Sequence, residues 1–165
     1  MATELNRILL SGIAATALVD LWAIARLRLF GTALPNYRLV GRWIAHIPRG
    51  RFRHASIAAA ELVRAEGLIG WAAHYLIGIA FAFLLLAAAG SEWFERPSLA
   101  PALAVGIATV AAPWFVMQPA MGAGIAARLT PRPAAARLQS LITHGIFGLG
   151  LYGGALLSTQ LLSGV

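Results

Sequence analysis

The sequence predicts an all-α membrane protein with four transmembrane helices. Three observations carry the prediction. Four apolar segments, residues 5–25, 67–89, 99–117 and 138–162, each come close to the ~20 residues a helix needs to cross a hydrocarbon core of ~30 Å. The stretch 67–90, GLIGWAAHYLIGIAFAFLLLAAAG, holds no charged residue and is strongly polar only at His74 and Tyr75. The whole chain is 59% hydrophobic and 12% charged, with a mean hydropathy of +0.76, too apolar for an ordinary soluble domain.

A chain of 165 residues makes one polytopic membrane domain with no room for a second. It has no cysteine, which excludes disulfides and thiolate metal ligands. All 13 basic residues are arginine and sit at the segment boundaries. The pI near 11.5 therefore points to the lipid bilayer and its anionic headgroups as partner, and not to nucleic acid.

The first segment, 5–25, has Ala15-Thr16-Ala17 like a signal-peptide cleavage site. Its leading residues carry both Glu4 and Arg7, and the apolar run continues through Trp22, so it is expected to be a retained span. Its face Gly12, Thr16, Asp20 steps by four and ends on a carboxylate.

Residues 26–66 form an arginine-rich loop holding 8 of the 13 arginines. Within it Leu39, Val40, Trp43, Ile44 and Ile47 share one helical face, which predicts an amphipathic helix over 36–47 in the headgroup region, anchored by Trp43. Arg38, Arg42, Trp43, Arg49, Arg51 and Arg53 are the expected headgroup contacts. Residues 55–65 are expected to form another short helix with a Glu61–Arg64 pair, and His46 and His54 to be ordinary loop residues.

The second segment carries Gly70, His74, Gly78 and Ala82 four apart, a small-residue stripe that lets another helix come close. A polar turn at 91–97 leads to the third segment, where Pro113 predicts a kink. A second arginine-rich loop, 118–137, leads to the fourth segment, with His144 and a Gly150–Gly154 pair at GxxxG spacing. His74-Tyr-Leu-Ile-Gly78 compares with His144-Gly-Ile-Phe-Gly148, and Thr16–Asp20 with Thr109–Pro113, matches that fit a duplicated two-helix unit.

Several of these runs together carry a resemblance. ALVDLW, LVGRWIAHIPRGRFRHASI, GWAAHYLIGIAFA, MQPAMGAGIAARLTPRP and THGIFGLGLY resemble the bacterial family known as domain of unknown function 2938. The resemblance covers nearly the whole chain and implies a small multi-span bacterial inner-membrane protein. It implies no activity.

Chemistry then has to come from polar residues at membrane depth, namely Asp20, His74, His144, Gln118 and Met117. Such groups are costly in lipid, so they face the bundle and pair. Three readings follow. Asp20, His74 and His144 could form a proton or cation site of a transporter- or channel-like protein. The polar layer could instead fix helix packing in a non-catalytic scaffold that serves a homo-oligomer or another membrane protein. The two histidines could also ligate a haem, or join Met117 around a transition metal such as copper. No Ser/His/Asp arrangement, glycine-rich phosphate loop or HExxH motif is present, so hydrolase and nucleotide-dependent activities have no support.

The two arginine-rich loops hold 8 and 3 arginines, and the positive-inside rule puts both in the cytoplasm and both termini outside. Cysteines placed at Ser56 and Ser91 are expected to react with an impermeant reagent from opposite sides of the membrane. Labelling of both from one side would contradict this topology.

Overall fold

A computed structural model describes residues 2–162 and shows helices with no strand among those residues. The elements are α1 (Ala2–Phe30), α2 (Tyr37–His46), α3 (Glu66–Ala89), α4 (Ser91–Glu95), α5 (Leu99–Ala108), α6 (Gln118–Ala120) and α7 (Pro133–Leu162). Among the described residues four helices are long and apolar enough to cross a membrane: Thr3–Phe30, Glu66–Ala89, Leu99–Ala120 and Pro133–Leu162.

Their limits have local causes. Helix α1 runs past Arg26 and Arg28 because nothing breaks it before Gly31, whose φ of +63° ends the helix in the left-handed region, with its N–H donating to the Leu27 carbonyl. Pro133 opens α7, where its fixed φ suits the first turn and its missing N–H goes unneeded. The kink expected at Pro113 is present as a wide π turn over Pro113–Met117. Proline cannot donate to the carbonyl four residues back, so the ladder there widens and α-helix resumes at Gln118.

The chain forms two compact units. The first comprises the chain up to residue 34, residues 75–109, and residues from 142 onward. Its helices meet almost backbone to backbone. A side chain on Gly78 would run into the Thr16 hydroxyl, and a Cβ on Gly12 would lie 2.6 Å from Ile79 Cα. A Cβ on Gly106 would come 2.5 Å from Gly148 Cα, and one on Gly150 would come 2.5 Å from Ala15 Cα. Gly12 with Gly78, Gly106 with Gly148, and the GxxxG pair Gly150–Gly154 thus mark the crossing points of α1 with α3, α5 with α7, and α1 with α7. In each half of the sequence, the glycine four residues after the histidine meets a glycine of the preceding span, Gly12 for Gly78 and Gly106 for Gly148. Around these crossings Ile8, Ala82, Leu85, Phe94, Phe147 and Leu151 form the core. Hydroxyls here are satisfied within their own helices: Ser11 donates to Arg7 O, Thr16 to Gly12 O and Ser158 to Ala155 O.

The second unit comprises residues 35–74 and 110–141. Helix α2 lies against the start of α3, with Gly41 on the Glu66 carbonyl and Gly70 on the Tyr37 carbonyl. The segment 54–57 is pinned to the end of α6 by the His54 N–H donating to Ala120 O at 2.8 Å and the Ile57 N–H donating to Met121 O at 3.1 Å. Trp43, Ile57 and Ala120 form its core, with Leu39, Ile44, Met117 and Met121 packed around them.

Two expectations need correction. Arg42 and Trp43 were expected at the headgroups, and both are buried inside this unit, with the Trp43 indole N–H donating to Phe52 O. The α2 face that carries the apolar residues has protein to cover it, because the loop folds back over it. Residues 55–65 hold only a single 3-10 turn, Ile57–Ala59, instead of a helix. The carbonyls of Ile57, Ala58 and Ala60 accept from the Arg42 guanidinium, and only Ile57 O also closes a helical turn, with the Ala60 N–H. Glu61 meets Arg51 at 3.9 Å and not the expected Arg64.

The crossings predict how two glycines of the first unit respond to the same change. Gly106→Ala forces backbone apart and is expected to cost ~1–3 kcal/mol. Gly145→Ala has open space around its Cβ and is expected to be neutral or stabilising by up to ~1 kcal/mol. Thermal unfolding of both variants in detergent measures the difference.

Candidate functional site: paired polar groups at membrane depth

Asp20, His74 and His144 each have a partner in the structure that no sequence pattern links to them. Asp20 lies one turn beyond Thr16 on α1, and the Tyr75 phenol donates to its Oδ2 at 3.0 Å. Tyr75 is next to His74 in sequence, and neighbours in a helix point about 100° apart. The histidine on the small-residue stripe therefore drew attention away from the phenol beside it.

His144 on α7 meets Thr109, which closes α5 just before the π turn. Thr109 donates its hydroxyl proton to Gly106 O at 2.6 Å, so its oxygen accepts from His144 Nδ1 at 2.9 Å. That assigns the proton to Nδ1 and leaves the lone pair on Nε2, available as a base or a ligand. In the sequence Thr109 stands out only as the repeat partner of Thr16.

His74 belongs to the second unit and stacks on Tyr37 of α2, with ring centroids 4.1 Å apart and planes 24° apart. Trp71 meets the same two rings edge-on, at 4.7 Å from Tyr37 and 5.9 Å from His74. Met117 packs on the Trp43–Ile57–Ala120 core. Gln118 has its Oε1 buried with no hydrogen-bond partner. The five residues therefore divide, Asp20 and His144 in the first unit and His74, Met117 and Gln118 in the second. Among the described residues, no three His, Asp or Glu side chains come together as a metal-binding group.

The strongest electrostatic feature was not anticipated. Glu66, the first residue of α3, receives a bidentate pair from Arg42, with Nε to Oε2 at 2.8 Å and Nη2 to Oε1 at 3.0 Å. Arg38 Nε donates to the same Oε1 at 3.1 Å, and the Val63 N–H donates to Oε2. The remaining Arg42 nitrogen, Nη1, donates to three loop carbonyls. Hydrogen bonding to Glu66, aided by its charge and opposed by burial, raises the Arg42 pKa above its already high ordinary value. The guanidinium stays charged at every working pH. An acidic residue two positions after Arg64, at the mouth of a span, is the available signal. Arg38, by contrast, keeps its side chain 68% exposed, and Arg49, Arg51 and Arg53 are exposed as well.

A family model described as "Protein of unknown function (DUF2938)" matches residues 9–158. The chain belongs to this family. The match takes in the Arg42–Glu66 clamp and both the Asp20–Tyr75 and Thr109–His144 pairs, so this DUF2938 member carries all of them within the family domain. No curated protein and no solved structure matches the chain.

In this DUF2938 protein, Glu66→Ala leaves a buried guanidinium without its carboxylate and unsettles both α2 and the 57–60 segment. The expected outcome is a marked drop in the unfolding midpoint in detergent, whereas Arg51→Ala, at an exposed pair, leaves the midpoint nearly unchanged. Circular dichroism during heating measures both.

Proposed function

We propose that this protein is a small transporter- or channel-like component that handles protons or small cations through Asp20 and His144. The observation that carries the reading is the Tyr75–Asp20 hydrogen bond, a phenol and a carboxylate 3.0 Å apart within spanning helices. Two titratable groups at that distance can share or pass a proton, and ionisable groups placed inside spans at energetic cost are more often functional than incidental. The lone pair left on His144 Nε2 gives a second proton-accepting atom in the same unit.

Four spans are few for an alternating-access machine, so the reading calls for a homo-oligomer or a partner membrane protein. The arginine split supports a bacterial inner-membrane location with both termini outside. Arg38, Arg49, Arg51 and Arg53 then meet anionic headgroups on the cytoplasmic side. The scaffold reading is favoured by a different observation, the close glycine crossings, which suit rigid packing more than motion. The haem or copper reading has no observation to support it at His74 and His144.

Proteoliposomes with a trapped pH dye and an imposed potential test the proposal. Wild-type protein is expected to carry proton or cation flux, with Asp20→Asn and Tyr75→Phe reducing it by about tenfold or more. Flux no greater than in protein-free vesicles, or unchanged in Asp20→Asn, would contradict it and favour the scaffold reading.

A further inference from the structure

The second unit contains two histidines, His46 and His54, that nothing above uses. His46 is fully buried, at 0% exposure, near the end of α2. Its Nε2 lies 3.0 Å from the Glu61 carbonyl, which can only accept, so Nε2 carries the proton. Nδ1 is left with its lone pair, buried and without a hydrogen-bond partner.

His54 follows the turn at Gly50 and is held by its backbone N–H on Ala120 O. Its Nε2 is also buried and unpartnered. The two rings face each other edge to plane with centroids 5.2 Å apart and planes at 71°. Gln118, two residues before Ala120, has its Oε1 buried with no donor. Buried polar atoms normally find partners, and the two neighbouring rings each keep one ring nitrogen that no group of the chain satisfies.

Neutral imidazole nitrogens are ligands for zinc, copper and nickel. Two imidazoles on one metal, with N–metal distances of about 2.0–2.1 Å and a near-tetrahedral angle, have ring centroids roughly 5–5.5 Å apart. The His46–His54 separation falls in that range. The contact of His46 Nε2 with a backbone carbonyl is the kind of outer bond that fixes the tautomer and aim of a metal-binding histidine.

We infer that His46 and His54 bind one borderline transition-metal cation of the zinc class, through His46 Nδ1 and His54 Nε2. The site is separate from Asp20 and His144 and does not depend on their role. Water completes its shell, since no third His, Asp or Glu clusters there among the described residues. A bound metal would tie the end of α2 to the 54–57 segment, and so brace the loop that Arg42 holds from its other side.

Zinc chloride titrated calorimetrically into the purified full-length chain in detergent, with metal content of the isolated complex, tests this. Wild-type protein is expected to bind one zinc. His54→Ala, which removes the more exposed ligand, and His46→Gln, which keeps a donor for Glu61 O but no imidazole lone pair, are expected to weaken binding about tenfold or more. Far-UV circular dichroism and gel filtration select variants that remain folded. His74→Ala and His144→Ala are expected to bind zinc as wild type does. No stoichiometric binding by wild-type protein would overturn the inference, as would binding unchanged in the folded His54→Ala variant or lost only in His74→Ala or His144→Ala.

Discussion

A polar group at membrane depth has no water to turn to, and this constraint governs the arrangement of the chain. Five polar side chains of the first unit show how it is met, each by a short internal bond. Thr16, Ser11 and Ser158 give their protons to their own helix, Tyr75 serves Asp20, and Thr109 both donates to Gly106 O and accepts from His144. At the mouth of α3 the same constraint takes its most developed form. One carboxylate, Glu66, and one guanidinium, Arg42, satisfy each other bidentately, and the spare Arg42 nitrogen collects the carbonyls of a loop that has no regular ladder. An irregular segment of backbone is held by a side chain where secondary structure would otherwise do the work.

The apolar side of the fold is equally economical. Lipid tails are as apolar as leucine, so helices gain little by hiding leucines from them, and close backbone approach has to supply the attraction. Glycine at 12, 78, 106, 148, 150 and 154 makes that approach possible, and the large aliphatics are left to face outward, as Leu21, Leu76 and Leu157 do. The equivalent meetings of Gly12 with Gly78 and Gly106 with Gly148 give physical content to the weak sequence repeat around His74 and His144.

Much of this was legible in the sequence, and the part that was not has definite causes. Long charge-free runs define spans because length and hydropathy are summed properties, so the four helices could be read directly. Stripes of small residues stepping by four fixed which faces meet, since that spacing maps onto one helical face. Pairings between side chains far apart in sequence could not be read this way. Tyr75 with Asp20 is separated by 55 residues and Arg42 with Glu66 by 24, and no local pattern links such positions. The amphipathic pattern of α2 was real, but amphipathicity says only that a face is covered, and here loop residues such as Phe52 and Ile57 cover it where lipid headgroups were expected. His46 is unremarkable in the sequence because a single histidine carries no signal until its second nitrogen is seen to be buried.

The central claim is that Asp20 and Tyr75 form a working titratable pair within the spanning helices and not a packing detail. Infrared difference spectroscopy of the protein in lipid, recorded while pH is stepped, observes that carboxyl directly. The account predicts a protonated-carboxyl band that changes with pH, shifts in frequency in Tyr75→Phe and vanishes in Asp20→Asn. A spectrum with no band assignable to Asp20 that responds to pH, or a band indifferent to Tyr75→Phe, would contradict it.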